Sequence, residues 1–328
     1  MKILLLANEK PEVYQIEQRY RDQICSIDKS IELHVPFASN IEEVHAYLPK
    51  TEALVGFPRD LEAISLRSAP QLKWMHSFSA GMERVLTPEL KASNIMASNS
   101  SGVHAIPIAE HVLACILIFA KKFYQSFQNQ QQKIWQPVEG MTEIRDSTLM
   151  VVGLGKIGKE IAKVANGTGM KVIAVDQALR QAQGKPEFVQ EFYGVDELNR
   201  VLPQADYVVI ALPYTQHTHH FFDMEKFRMM KKSSVLINIG RGGVIHEKEL
   251  IEALQNGVIA GCALDVTQEE PLPSDSPLWR MNNVVITPHH SSRTKKRMDR
   301  TIDLLCEHIK AYLRGDRLPN LVDKEKGY

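Results

Sequence analysis

Long hydrophobic runs are missing from this chain of 328 residues. The longest apolar stretch, Val112 to Ala120, is far below the roughly 20 residues that cross a bilayer as a helix, so no membrane partner is expected. The opening Met1-Lys-Ile-Leu-Leu-Leu-Ala7 is too short an apolar run for a secretory signal and fits a first strand. An excess of one charge sign is also lacking: 39 Lys plus Arg face 39 Asp plus Glu. General binders of nucleic acid carry a basic surplus, so none is expected as a partner. Cysteine is scarce. Cys25, Cys115, Cys262 and Cys306 have neither metal-ligand nor disulfide spacing, and three sit among apolar neighbours. Buried free thiols in a reducing cytoplasm fit that pattern.

What is present is alternation. The length suggests about two domains, each able to bury a core. Residues 1 to 99 alternate strands (Lys2–Ala7, Ile31–Val35, Ala53–Gly56, Leu72–Ser77, Ile95–Ala97) with helical patterns (Glu12–Ile24, Ile41–Leu48, Leu61–Ser68). This predicts a parallel sheet with helices on both faces. The small polar loop Ser77-Phe-Ser-Ala-Gly-Met82 follows a strand. It fits either a plain turn or a set of backbone N–H groups able to hold a carboxylate. Val103–Phe123 predicts one long apolar helix, with Glu110 and His111 as a paired polar cluster inside it. The glutamine-rich stretch from Tyr124 to Trp135 fits an arm that packs on a partner subunit, or a solvated helix.

A second series begins near Arg145. Six strands are predicted at Leu149–Val152, Lys171–Val175, Tyr207–Ala211, Val235–Ile239, Ile259–Leu264 and Val284–Ile286, with helices between most of them. The final helix, Thr294–Arg314, carries an apolar stripe at Met298, Ile302, Leu305, Ile309 and Leu313 and is expected to return to the first domain. The first strand of this series runs into Gly153-Leu-Gly155-Lys-Ile-Gly158 and then a helix. In that order Gly153 permits the turn, Gly155 lets the backbone approach a pyrophosphate, and Gly158 lets helix pack on strand. The anion then meets unpaired N–H groups at the helix N-terminus. The next strand ends in Asp176, about 20 residues on, where a ribose 2′-hydroxyl is read. An acid there repels a 2′-phosphate, so NAD is favoured over NADP, with nearby Arg180 working the other way.

Ligands of open α/β sheets bind outside the carboxyl ends of the strands. Arg241, Glu270 and His289 each fall just past such an end. Singly, each fits an ion pair or a satisfied turn residue. Together on the rim that holds Gly155, they suit reduction of a 2-keto acid. Arg241 grips a carboxylate and polarises the adjacent carbonyl. His289 exchanges the proton, and Glu270 stabilises its charged form. Asp265 is placed to accept from a nicotinamide amide. His217, His219 and His220 form a histidine-rich loop, but no further ligand completes a metal site, so no metal is expected.

These residues resemble a known family. Gly153-Leu-Gly-Lys-Ile-Gly158, Ile237-Asn-Ile-Gly-Arg-Gly-Gly243, Ala263-Leu-Asp-Val, Glu270-Pro-Leu-Pro and Thr287-Pro-His289 are similar to the motifs of the D-isomer-specific 2-hydroxyacid dehydrogenases, nearly end to end and in order. The resemblance implies an α/β protein of two doubly wound parallel-sheet domains. An NAD-binding Rossmann domain (101–289) is inserted into a flavodoxin-like substrate domain built from 1–100 and 290–328. It implies a homodimer, catalytic Arg241, Glu270 and His289, and Asp265 against the nicotinamide. It implies a carboxylate-binding loop at Ser79, Ala80 and Gly81, and cofactor contacts at Lys156, Ile157, Leu212, Thr218 and Ile239. The register of Thr-Pro-His selects His289 over His290, and that of Glu-Pro selects Glu270 over Glu269. Two alternatives share the scaffold: an NAD-sensing binding protein of the corepressor type, and a phosphite-type dehydrogenase.

Overall fold

The computed structural model describes residues 1–8, 16–177 and 185–327. Arg180 and the start of the predicted Glu12–Ile24 helix lie outside them. The chain divides into two compact units, Met1–Val103 with Arg293–Tyr328, and His104–Ser292 between them in sequence.

In the first unit the order is β1 (Lys2–Leu5), α1 (Gln18–Cys25), β2 (Glu32–His34), α2 (Ile41–Tyr47), β3 (Ala53–Gly56), α3 (Pro58–Glu62), β4 (Trp74–Ser77), α4 (Pro88–Ala92) and β5 (Met96–Asn99). The strands are all parallel and ordered β2-β1-β3-β4-β5, the doubly wound order of flavodoxin-like sheets. Every residue of β3 and β4 is buried, because a central parallel strand is covered on both faces.

The second unit runs α5 (Ala105–Ala120), α6 (Phe123–Gln131), β6 (Thr148–Val152), α7 (Lys156–Gly167), β7 (Lys171–Val175), β8 (Glu191–Tyr193), α8 (Leu198–Val201), β9 (Tyr207–Ile210), α9 (Met224–Met229), β10 (Val235–Asn238), α10 (Glu247–Gln255), β11 (Gly261–Leu264) and β12 (Val284–Ile286). Its strands are also parallel, in the order β12-β11-β10-β9-β6-β7-β8. The order reverses between β6 and β9, which is where such sheets open a ligand crevice at their carboxyl ends. The chain then returns to the first unit as α11 (Arg297–Arg314). Met298, Ile302, Leu305 and Ile309 of α11 share a core with Ile3, Leu5 and Trp74, while Leu313 remains exposed.

Two parallel-sheet α/β units are thus as expected, with local departures. Where six strands are predicted for the second series, the described residues form seven. The added β8 is a three-residue edge strand, partly exposed and polar, so it carries no apolar run to mark it. The single helix predicted over Val103–Phe123 stops at Ala120. Lys122 takes a left-handed conformation at φ 50° and starts α6 at a new angle. A glycine there would have marked the stop, but lysine gives no such sign. The helix expected at Leu61–Ser68 begins earlier, with Pro58 in its first turn, and ends at Glu62.

Candidate functional site

In the second unit the glycine loop, Asp176, Leu212, Thr218, Ile239, Arg241, Asp265 and His289 all follow strand ends on the carboxyl rim of one parallel sheet. At Gly158 a Cβ would lie 2.0 Å from the Gly153 carbonyl oxygen, so only glycine lets α7 sit this close to the turn. A Cβ on Gly155 would meet nothing within 4 Å. Gly155 caps α7 without a side-chain hydrogen bond. Lys156 and Ile157 open that helix, whose first-turn N–H groups face an open approach. Asp176, directly after β7, returns to this loop and accepts the Leu154 N–H at 2.6 Å on Oδ2. Open space before the helix and an acid beside it fit a dinucleotide pyrophosphate and its adjoining ribose.

Arg241 stands on a loop shaped by Asn238. That fully buried amide accepts the Gly240 N–H at 3.1 Å and donates to the Arg241 carbonyl at 3.0 Å. A Cβ on Gly242 would lie 1.9 Å from the Thr267 carbonyl oxygen. The Arg241 loop therefore presses on the loop that leads to Glu270. Arg241 Nη1 donates to the Gly240 carbonyl at 2.8 Å.

Glu270 and His289 are brought together. His289 Nδ1 lies 2.7 Å from Glu270 Oε2, and Glu270 Oε1 accepts the Thr267 N–H at 3.3 Å. Burial pushes the Glu270 carboxyl upward. The hydrogen bond and charge of His289, the Thr267 N–H and the Arg241 guanidinium together outweigh it and hold Glu270 below its usual range. An ionised carboxylate only accepts, so the proton in this contact sits on His289 Nδ1. In the neutral ring Nε2 then carries the lone pair. Both side chains are partly open to solvent.

His289 has φ 48°, an uncommon conformation for a residue with a side chain. The buried carboxylate of Asp265 holds the turn. Oδ1 accepts from the Thr287 hydroxyl at 2.7 Å, the His290 N–H at 3.0 Å and the Ser291 N–H at 3.2 Å, while the Asp265 carbonyl accepts the His289 N–H at 2.8 Å. Desolvation works to raise Asp265, but these donors prevail and its pKa is lowered. Sequence reasoning offered Asp265 to a nicotinamide, and its contacts with the His289 turn went unseen. Asn238, Thr287 and His111 were missed as well. A polar residue inside the apolar run Val-Leu-Ile-Asn was the available signal for Asn238. Glu110 is exposed, and His111 turns instead to Thr287 Oγ1 at 3.3 Å.

Ser79, Ala80 and Gly81 lie past β4 in the first unit. The Ser79 carbonyl accepts the Ser100 N–H at 3.1 Å and the Ala80 carbonyl accepts from Asn99 Nδ2 at 2.9 Å. In a trans peptide the N–H points opposite the carbonyl. The Ala80 and Gly81 N–H groups are therefore turned away from these anchors. In the histidine-rich loop, Thr218 Oγ1 donates to the Pro213 carbonyl and accepts the Thr215 N–H, both at 2.7 Å. His219 and His220 stack at 3.8 Å.

A sequence profile described as "D-isomer specific 2-hydroxyacid dehydrogenase, NAD binding domain" matches residues 113–291. A glyoxylate reductase of Thermofilum pendens is 33% identical over 291 residues, covering 87% of this chain and 85% of that protein. Glyoxylate/hydroxypyruvate reductase B of Escherichia fergusonii is 31% identical over 290 residues, covering 87% and 88%. A crystal structure of a D-isomer specific 2-hydroxyacid dehydrogenase family protein from Aeromonas salmonicida superimposes with a TM-score of 0.85 at 27% identity, covering 98% and 99% of the two chains.

The Asp265 contacts make a pH prediction. A carboxylate held below its unfolded pKa of about 3.9 stabilises the fold above that pH, and the contribution is lost as pH falls through the folded-state value. Asp265→Asn is expected to be less stable than wild type at neutral pH. The gap should shrink as pH falls below about 4, followed by denaturant midpoints across the pH range. Parallel curves for the two proteins would contradict it.

Proposed function

The chain belongs to the D-isomer-specific 2-hydroxyacid dehydrogenase family, and on that premise we propose that Arg241, Glu270 and His289 carry the reduction of a small 2-keto acid to its D-2-hydroxy acid, and the reverse oxidation. Family membership makes the protein an oxidoreductase with a nicotinamide cofactor, acting on 2-hydroxy or 2-keto acids. The observation that carries the finer reading is the 2.7 Å contact between His289 and an ionised Glu270, on the sheet rim that also bears the open glycine loop and Arg241. The names of the glyoxylate and hydroxypyruvate reductases among its relatives support a short substrate chain.

When bound, the nicotinamide supplies the hydride equivalent that the substrate carbonyl carbon accepts. The residues of the chain do the rest. Gly153, Gly155, Gly158, Lys156 and Ile157 hold the pyrophosphate at the N-terminus of α7. Leu212, Thr218, Ile239 and Asp265 line the path toward the reacting end. Asp176 takes the adenosine ribose and repels a 2′-phosphate, which favours NAD over NADP. Arg241 binds the substrate carboxylate with its planar fork of donors and polarises the neighbouring carbonyl. In the first unit, the Ala80 and Gly81 N–H groups, with Ser79, offer donors for a carboxylate. His289 is kept in one orientation by Glu270, which stabilises its doubly protonated form; that imidazolium delivers a proton from Nε2 to the carbonyl oxygen in reduction, and the neutral ring takes it back at Nε2 in oxidation. The reading includes a homodimer. Support comes from apolar side chains left exposed on and after α6, Phe123, Phe127, Ile134 and Trp135.

His289→Ala is expected to lower turnover of glyoxylate or hydroxypyruvate with NADH by roughly 100-fold or more, while NADH still quenches protein fluorescence. Turnover near the wild-type rate would remove the acid–base role. Asp176→Ala should weaken NADH and affect NADPH less, measured as the ratio of kcat/KM for the two cofactors. An unchanged ratio would contradict the ribose contact.

A further inference from the structure

The family motifs leave His111 without a task, and the catalytic reading above does not use it. His111 lies on α5, far in sequence from the strand ends that form the rim, yet its Nε2 is 3.3 Å from Thr287 Oγ1. The direction of that contact follows from donor counting. A threonine hydroxyl has one proton. Thr287 Oγ1 lies 2.7 Å from Asp265 Oδ1, and that carboxylate, held ionised by its donors, can only accept. The Thr287 proton is therefore spent on Asp265. Toward His111 the hydroxyl oxygen must accept, so His111 carries its proton on Nε2. The chain of donors runs one way, from His111 Nε2–H to Thr287 Oγ1–H to Asp265.

That chain ends on the group that shapes the turn bearing His289. Asp265 Oδ1 also takes the His290 and Ser291 N–H groups, at 3.0 and 3.2 Å. His289, just before them in sequence, is held at φ 48°. A residue with a side chain in this region is strained and persists only where its surroundings over-determine it. Thr287 sits two residues before His289 and contributes one donor to that over-determination. Its hydroxyl donates to Asp265, and His111 engages the acceptor side of the same oxygen, so the hydroxyl is held from both directions. The His111 ring also meets the His290 ring edge-on, with centroids 6.1 Å apart, which braces the far side of the same turn.

We propose that His111 is a positioning residue for the acid–base histidine: through Thr287 and Asp265 it fixes the turn that aims His289. The inference rests on the reading that His289 exchanges the substrate proton. His111 touches no reacting atom and acts only through the turn.

The test is a double-mutant cycle on the full chain, with steady-state kinetics in NADH and glyoxylate. His111→Phe keeps the ring and removes the donor, and Thr287→Val keeps the shape and removes the hydroxyl. Each is expected to lower kcat by about 10-fold, since small misplacements of a reacting group cost one to two orders of magnitude, with KM for NADH within about twofold of wild type. The double variant should be no slower than the slower single one, because both break one chain. Thr287→Ser and His111→Gln, which retain a donor, should recover most of the rate. Loss of folded protein alone would lower the active fraction without giving this rescue or this lack of additivity. Wild-type kcat in His111→Phe, or multiplicative losses in the double variant, would overturn the proposal. Full turnover in His289→Ala would overturn the catalytic reading itself. Loss in His289→Ala with no loss in His111→Phe would overturn only the positioning role.

Discussion

The short contact between His289 Nδ1 and Glu270 Oε2 is the constraint on which the rest of the rim depends. It joins the loops that follow β11 and β12. His289 needs a left-handed backbone, and Glu270 must stay ionised although burial opposes it. Asp265 meets the first need by gathering the donors of the turn around one buried carboxylate. Thr267 and Arg241 help to meet the second, one through its N–H and one through its charge. Both requirements converge on the tautomer of a single imidazole, because the ring nitrogen facing the carboxylate must carry the proton.

The sheet explains why these groups can converge at all. Parallel strands end on one side, so loops far apart in sequence share a rim. In the second unit, reversal of strand order between β6 and β9 separates the loops and leaves an approach in front of the glycine turn. Close backbone approach then ties the loops to one another. Gly158 settles α7 on the turn before it, and Gly242 settles the Arg241 loop on Thr267. The first unit repeats the principle more simply. Asn99 and Ser100, at the end of its β5, hold the Ser79 and Ala80 carbonyls, and the Ala80 and Gly81 N–H groups face away from those anchors.

Much of this was legible from the amino acids alone. Buried parallel strands read as plain apolar runs, and both sheets emerged from them. Arg241, Glu270 and His289 were singled out because strand ends in open sheets are where ligands bind, and each of the three does follow a strand end. The short edge strand β8 was missed because an edge needs little apolar surface. The break before α6 was placed at Phe123, past the actual helix end at Ala120, because a lysine, not a glycine, adopts the left-handed turn. His111 was read as part of a polar cluster with Glu110, since neighbours in sequence were the only partners visible. Its actual contact with Thr287 spans 176 positions, and local pattern carries no trace of such a pairing. Asp265 was recognised by its place after a strand, but its donors come from main-chain N–H groups, which every residue possesses and no sequence pattern singles out.

The central claim is that Glu270 holds His289 with its proton on Nδ1, leaving Nε2 to exchange a proton with substrate. Nitrogen-15 NMR of the histidine side chains tests it directly, with the His289 signals assigned by their loss in His289→Asn. The account predicts that neutral His289 shows a protonated Nδ1 and an unprotonated Nε2, and that Glu270→Leu abolishes this preference. A neutral ring protonated on Nε2 in the wild-type protein, or the same Nδ1 preference after Glu270 is replaced, would contradict it.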